Sequence, residues 1–297
     1  MINLNKNDNN VLGKIKTLPV WLLLLLFSVI VSCKLKKITY TPTGYDITKP
    51  QSIKLGTKLD EISGICWVND SLILANNDES GRIFAIDLNA SNTGEYRNIK
   101  FGPKDDYEDI VKVDSAIYLL VATGKILRVM NYQDEATVRV EEVATLAGEN
   151  EFESLYYDKE MNSLVMICKN CHREKDKVRS AYRFNLANNQ LIDSPYYQIQ
   201  MDEIRKLTED QGAEFRPSAA SVNPKDNNIY IVSSVGKLMV VINKKGKVLQ
   251  AFRISAGMFP QPEGITFAPN GDMFISNEIG TEPEPSLLKF KYTPTIK

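Results

Sequence analysis

The sequence predicts an all-β fold, a five-bladed β-propeller, and three observations predict it: five segments repeat one pattern, their spacing holds near 45 residues, and the length left over is too short for a sixth blade. The repeat is clearest when "RPSAASVNPKDNNIYIVSS" from Arg216 is set against "QPEGITFAPNGDMFISNE" from Gln261. Each has a Pro, a small or acidic residue, an apolar strand, a turn holding Pro with Asn or Asp, and a second apolar strand. The pattern recurs in "EISGICWVNDSLILANNDE" from Glu61, "YEDIVKVDSAIYLLVAT" from Tyr107 and "FESLYYDKEMNSLVMICKN" from Phe152. Aligned on Glu263, the equivalent positions are Ser63, Glu108, Glu153 and Ser218, with separations of 45, 45, 65 and 45 residues. A period of that size with several short strands per unit is what a propeller blade requires.

Each unit then supplies two further strands. In the first blade these are "RIFAIDL" and "YRNIKF"; in the fourth they are "LMVVIN" and "VLQAFRI", joined by the turn "KKGK". Val, Ile, Leu, Phe and Tyr fill the strands, and Asn, Asp, Gly and Pro mark the turns. One helix is expected, "EIRKLTED" over residues 203–210 with Asp202 as its cap. With the loop holding "HREKDK" it accounts for the 20 extra residues between blades three and four. A six-bladed ring is the alternative, but it would need about 45 more residues, and the longest separation falls short of the roughly 90 an undetected blade would leave. The last blade ends in "SLLKFKY" as its third strand, so Ser52 to Leu55 is expected to supply the missing outer strand and lock the ring.

The N-terminus points to the cell envelope. Met1 to Thr17 is polar and carries Lys6, Lys14 and Lys16, and Leu18 to Ser32 is an uncharged run of 15 residues, signal-peptide length rather than a spanning helix. The run ends in "IVSC", which resembles a bacterial lipobox and makes Cys33 the lipidation site, with an uncleaved membrane anchor as the other reading. The expected organisation is a lipoprotein signal peptide over 1–32, a lipidated tether over 33–50 and the propeller over 51–297. Residues 34–37, "KLKK", suit anionic headgroups. With no acidic residues directly after Cys33, the expectation is a periplasm-facing lipoprotein of a Gram-negative bacterium. Without residues 1–32 the chain keeps 33 basic against 36 acidic residues, a balance that points away from nucleic acid.

In a propeller the residues that begin the first strand and those that leave the second converge on one mouth of the central channel. Glu108, Glu153 and Glu263 stand at strand starts, with Glu61, Ser63 and Ser218 beside them. Asn77, Asp78, Asn170, Asn277 and Glu278 stand at the exits. Carboxylates, amides and hydroxyls are the oxygen ligands of a hard cation, and outside the cytoplasm that cation is calcium. The expected metal ligands are Glu108, Glu153, Glu263, Asp78 and Glu278, and the expected ligand-binding residues are Glu61, Ser63, Asn77, Asn170, Ser218 and Asn277. The competing reading is that these side chains only hydrogen-bond turn amides, a structural role repeated with the blade.

Taken together, "EISGICWVNDSLILANNDESGRIFAIDL", "FRPSAASVNPKDNNIYIVSS" and "PQPEGITFAPNGDMFISNE", with the helix before the second, resemble the SdiA-regulated family of bacterial β-propeller proteins. The resemblance covers residues 50–293. It implies an exported or membrane-associated propeller, akin to phytase-like and esterase-like propellers, and it attaches no reaction.

"VMICKNCHREKDK", residues 165–177, contains C-x-x-C-H, the spacing of a c-type haem site. Haem is not expected: the motif falls at a strand end, its flank is charged, and His172 is the sole histidine. A disulfide or redox pair, two reduced thiols, or a soft-metal site with His172 remain open for Cys168 and Cys171. Two functional classes follow. One is a membrane-tethered module presenting a propeller face to a small molecule, polymer or partner protein. The other is a calcium-dependent hydrolase of phosphoesters or lactones. A serine hydrolase pairing Ser218 with His172 lacks a G-x-S-x-G elbow.

Overall fold

The computed structural model describes residues 41–90, 94–172, 174, 176–280 and 284–294. Among the described residues, twenty-one strands build five antiparallel sheets, the five blades. Blade one is β2 (Ile62–Asn69), β3 (Leu72–Asn77), β4 (Ser80–Asp87) and β5 (Arg97–Lys100), and blade two is β6 (Tyr107–Val113), β7 (Ala116–Val121), β8 (Lys125–Met130) and β9 (Arg139–Thr145). Blade three is β10 (Asn150–Asp158), β11 (Ser163–Cys171) and β12 (Val178–Asn185), with two short strands sharing the outer edge, β13 (Gln190–Leu191) and β14 (Tyr197–Gln200). Blade four is β15 (Ala219–Val222), β16 (Ile229–Ser233), β17 (Leu238–Ile242) and β18 (Val248–Arg253). Blade five is β19 (Pro262–Phe267), β20 (Met273–Asn277) and β21 (Ser286–Phe290), completed by β1 (Gln51–Lys54).

The ring is therefore five-bladed and closed by its N-terminal strand. Ser52 pairs with Leu288 and Lys54 with Ser286 in an antiparallel register that gives β21 a partner along its outer edge. Leu55 and Leu59, just after β1, are fully buried between blades five and one and seat the closing strand in the core.

Both faces of each sheet are covered by neighbouring blades, so the middle strands read as unbroken apolar runs rather than alternating ones. "IYIVS" in β16 and "LMVVI" in β17 are buried throughout. Five apolar clusters form, one at each blade junction. Residues 41–50 lie against the ring too: Tyr45 and Ile47 are buried between blades four and five, and the Tyr45 hydroxyl donates to Gly271 O at 2.7 Å. Cys33 and the expected signal peptide lie outside the described residues. Among the described residues, no helix is long and apolar enough to cross a membrane.

At the centre the inner strands β2, β6, β10, β15 and β19 pack side by side with no ladder between them. Side chains bridge that gap. The Asp109 carboxylate accepts from Ile110 N at 2.8 Å on its own strand and from Leu155 N at 2.7 Å across the junction. Ser276 Oγ donates to Ser63 O at 3.0 Å. The approach is close enough to require glycine: a Cβ on Gly64 would stand 2.6 Å from Asp109 Cα.

Helix α1 spans Met201–Thr208, two residues earlier than the sequence indicates. Its N-cap is Gln200, which makes no side-chain cap bond, and Asp202 sits in the first turn with Arg205 at 3.2 Å. The amphipathic pattern placed the helix. Its start carries no capping signal, since a preceding strand delivers the chain directly into the first turn. Met201 and Ile204 fix α1 in the junction between blades three and four.

Candidate functional site

The strand starts and exits meet at one mouth of the channel, and the structure sorts the acidic residues there into two groups. The first is Glu108 on β6, Glu153 on β10 and Glu263 on β19, the inner strands of blades two, three and five. Lys169 of β11 reaches into this group. Its Nζ forms an ion pair with Glu153 and another with Glu151 at 3.1 Å.

Burial is the leading influence on every carboxyl here. It pushes Glu108 up to about 10, with the charges of Glu153 and Asp106 adding to it, and Glu153 up to about 8, with Glu263 adding to it. Burial also raises Glu263, which the Ser234 and Ser218 hydroxyls and Lys169 pull back. Burial works against the Lys169 charge as well, but the two glutamates outweigh it and hold the ammonium above its ordinary range. Lys237 at the start of blade four's third strand also faces Glu263, and burial lowers its pKa. The first group is thus a buried carboxyl ring with a lysine of its own, a poor fit for a divalent cation that would have to displace that ammonium.

The second group is Glu61 just before β2, Asp78 between β3 and β4, and Glu278 just after β20. One oxygen from each lies within 4.8 Å of the others. Oxygens bound to one calcium at about 2.3–2.6 Å stand no farther apart than about 5 Å. No lysine or arginine pairs with these three among the described residues. Asp78 Oδ1 is buried and has no hydrogen-bond partner. Burial pushes Glu278 up to about 9, helped by its hydrogen bond with Glu61, which needs a proton between the two carboxyls. Burial and the Glu61 charge push Asp78 up to about 6. Repulsion of this kind is what a cation relieves.

Backbone and amide contacts hold the trio in place. Asp78 N donates to Glu61 O at 3.1 Å, and Glu278 N donates to Gln261 O at 2.9 Å. Gln261 Nε2 donates to Glu278 Oε2 at 2.9 Å.

The expected amide and hydroxyl residues are engaged elsewhere. Asn277 is fully buried and donates to Met258 O at 3.4 Å and to Ser286 Oγ at 3.2 Å. Asn77 Oδ1 accepts from Glu79 N, Ser63 O is bonded by Ser276, and Asn170 faces solvent. Ser218 Oγ accepts from Ser234 N at 3.0 Å, while His172 is exposed with Glu149 at 3.8 Å, so these two side chains have separate partners. Lys169, Lys237 and Gln261 escape the sequence reading. Lys169 was legible only as a basic residue facing Glu151 and Glu153 across one hairpin.

Cys168 and Cys171 form a disulfide, and both are buried. Their four-residue loop holds Lys169, so the cross-link frames the residue that enters the carboxyl ring. Cys66 is free and buried.

Comparison with solved structures finds the same fold in glutaminyl cyclase from Myxococcus xanthus, at 13% identity over 83% of this chain and 96% of that one, with a TM-score of 0.56. A structural genomics protein of unknown function from Bacteroides thetaiotaomicron matches at 14% identity over 78% of this chain and 56% of its own, with a TM-score of 0.50. At these identities the likeness is one of fold. No curated protein matches the chain. The SdiA-regulated family model matches residues 42–283, and the chain belongs to that family.

Proposed function

We propose that this protein is an extracytoplasmic binding module, tethered to the membrane through lipid on Cys33, that holds calcium at Glu61, Asp78 and Glu278 and uses that mouth of the channel to bind an oxygen-rich ligand. The observation that carries the cation is the trio itself: three converging carboxylates without a basic partner, one of whose oxygens is buried and unbonded. Bound calcium would supply a positive charge and open coordination positions for ligand oxygens. Lys169 serves the neighbouring ring, so the cation is confined to the trio. The tether rests on the "IVSC" motif after its apolar run.

A thermal melt of the full chain in non-ionic detergent, in chelator and then in calcium, tests the reading. Calcium at a hundredfold excess over its dissociation constant adds about 2.7 kcal/mol, a shift on the order of 5 to 10 °C for a domain of this size. The shift disappears in Glu278→Gln if the trio is the site. An unchanged melting temperature in calcium would reduce the trio to turn architecture.

A hydrolase of phosphoesters or lactones is the second reading, favoured by the burial of Glu108 at an inner-strand start, which raises its carboxyl to about 10 and suits a general acid. Calcium-dependent turnover of such esters that falls in Glu108→Gln would select it over simple binding.

A further inference from the structure

The insertion between blades three and four builds a second polar site on the same face as the channel mouth. Three arginines converge there on a cavity of about 210 Å³: Arg179 at the start of β12, Arg205 on α1, and Arg216 in the segment leading to β15. Arg179 and Arg205 stand on a strand and a helix, and the segment carrying Arg216 is anchored by Ala213 and Phe215, buried with Met201 and Ile204 in the junction core. The other repeat separations are 45 residues against 65 here, so the repeat does not require this pocket.

The arginines are only partly neutralised. Arg179 is 7% exposed; its Nε donates to Phe215 O at 2.9 Å and one terminal nitrogen donates to Val178 O at 2.8 Å. Its other terminal nitrogen stands 4.0 Å from Asp176, whose side chain is 95% exposed. Arg205 pairs with the exposed Asp202 and donates to Asp176 O at 3.3 Å, yet its Nε is buried with no partner. The Arg216 guanidinium has neither an ion pair nor a hydrogen bond among the described residues. Glu174 faces Arg179 and offsets part of its charge, with Oε1 held by Ser180 N and Oε2 buried and unbonded, and Glu214 is exposed. Asp176 is solvent-exposed and stands 4.0 Å from the buried Arg179, so the contact is loose and an incoming anion displaces it at small cost.

We propose that Arg179, Arg205 and Arg216 form a binding site for a phosphate group, carried by a small phosphomonoester or by inorganic phosphate. Guanidinium forks match the oxygens of a tetrahedral oxyanion in paired, charge-assisted hydrogen bonds. The free Arg216 guanidinium and the Arg179 terminal nitrogen that only Asp176 approaches are the donors left for it, with the Arg205 charge beside them. The site adjoins the mouth: Arg216 N donates to Ser233 Oγ at 3.0 Å, and the following Ser234 hydrogen-bonds to Glu263. It does not depend on calcium.

Titration calorimetry of the full chain in non-ionic detergent, in chelator and at fixed ionic strength, tests the site with inorganic phosphate and with glycerol 3-phosphate. Saturable binding of either is expected, weakened about tenfold or more in Arg216→Met, with Arg205→Met giving a similar loss. Tighter binding of the ester assigns the site to phosphomonoesters; equal binding assigns it to free phosphate. The proposal is overturned if neither probe gives a saturable heat, or if both methionine variants, melting as the parent does, bind as tightly as the parent. Running the titration in chelator keeps this result separate from the fate of the calcium site.

Discussion

Glu108 shows how one buried carboxyl ties the channel mouth to pH. An ordinary glutamate titrates near 4.3, whereas burial among Glu153, Asp106 and Glu263 carries this one up to about 10. A carboxyl whose pKa is raised on folding must take up a proton to fold once the medium is above its ordinary range. Its effect on stability is absent in acid and becomes an increasing cost as pH rises toward the folded pKa. Glu108→Gln removes the need for that proton while keeping nearly the same shape. The variant is expected to match the parent near about pH 4.5 and to exceed it by a margin that widens from about pH 5 to about pH 9. Melts in chelator across that range check it, and a variant less stable than the parent at the alkaline end would refute the burial argument. Lys169 sets the limit of the effect, since its ammonium, shared by Glu151 and Glu153, already offsets part of the repulsion.

The hairpin of β10 and β11 carries the next prediction. The Cys168–Cys171 bridge closes a loop of four residues at the end of β11, and so short a loop contributes about 2 kcal/mol by the chain-entropy relation. Replacing both cysteines by serine is expected to cost about that much, read as a lower denaturant midpoint with an unchanged slope; a loss several times larger would mean that the bridge also holds the inner strand. The strands themselves were legible because each blade repeats the same sequence of apolar run and turn, as Ser63, Glu108 and Glu263 show by falling in register. Several details were not. The outer edge of blade three is split between β13 and β14, which no periodicity marks. The bridge could not be read from spacing, since C-x-x-C serves several chemistries. The sequence presents Glu108, Glu153, Glu263, Asp78 and Glu278 as one metal set, whereas the fold gives the ring of Glu108, Glu153 and Glu263 a lysine, Lys169, and brings Asp78 and Glu278 together with Glu61. A basic side chain in a charged flank looks like any solvated lysine until the strand register aims it.

For the whole molecule, stability depends on joining the two ends of the chain within one sheet. Blade junctions pass apolar contacts around the ring, and β1 pairing with β21 adds the strand ladder that ties the start of the ring to its last blade. The closing strand is four residues long and largely exposed, so its hold comes from the residues that follow it. Leu55 is fully buried and Leu55 N donates to Pro285 O at 2.8 Å, continuing the seam by one more bond. Leu59 fills the same cluster one turn later. Leu55→Ala is expected to cost about 2–5 kcal/mol, the range for emptying a buried leucine site, and to lower the melting temperature of every blade together, because a ring without its seam has no sub-unit that closes alone. Removing residues 1–56 should go further, leaving the β21 edge unpaired and free to pair with another chain. Size-exclusion chromatography of the two forms distinguishes the outcomes: a truncated chain that stays monomeric and melts as the parent does would show that the remaining blades hold the ring without the N-terminal strand.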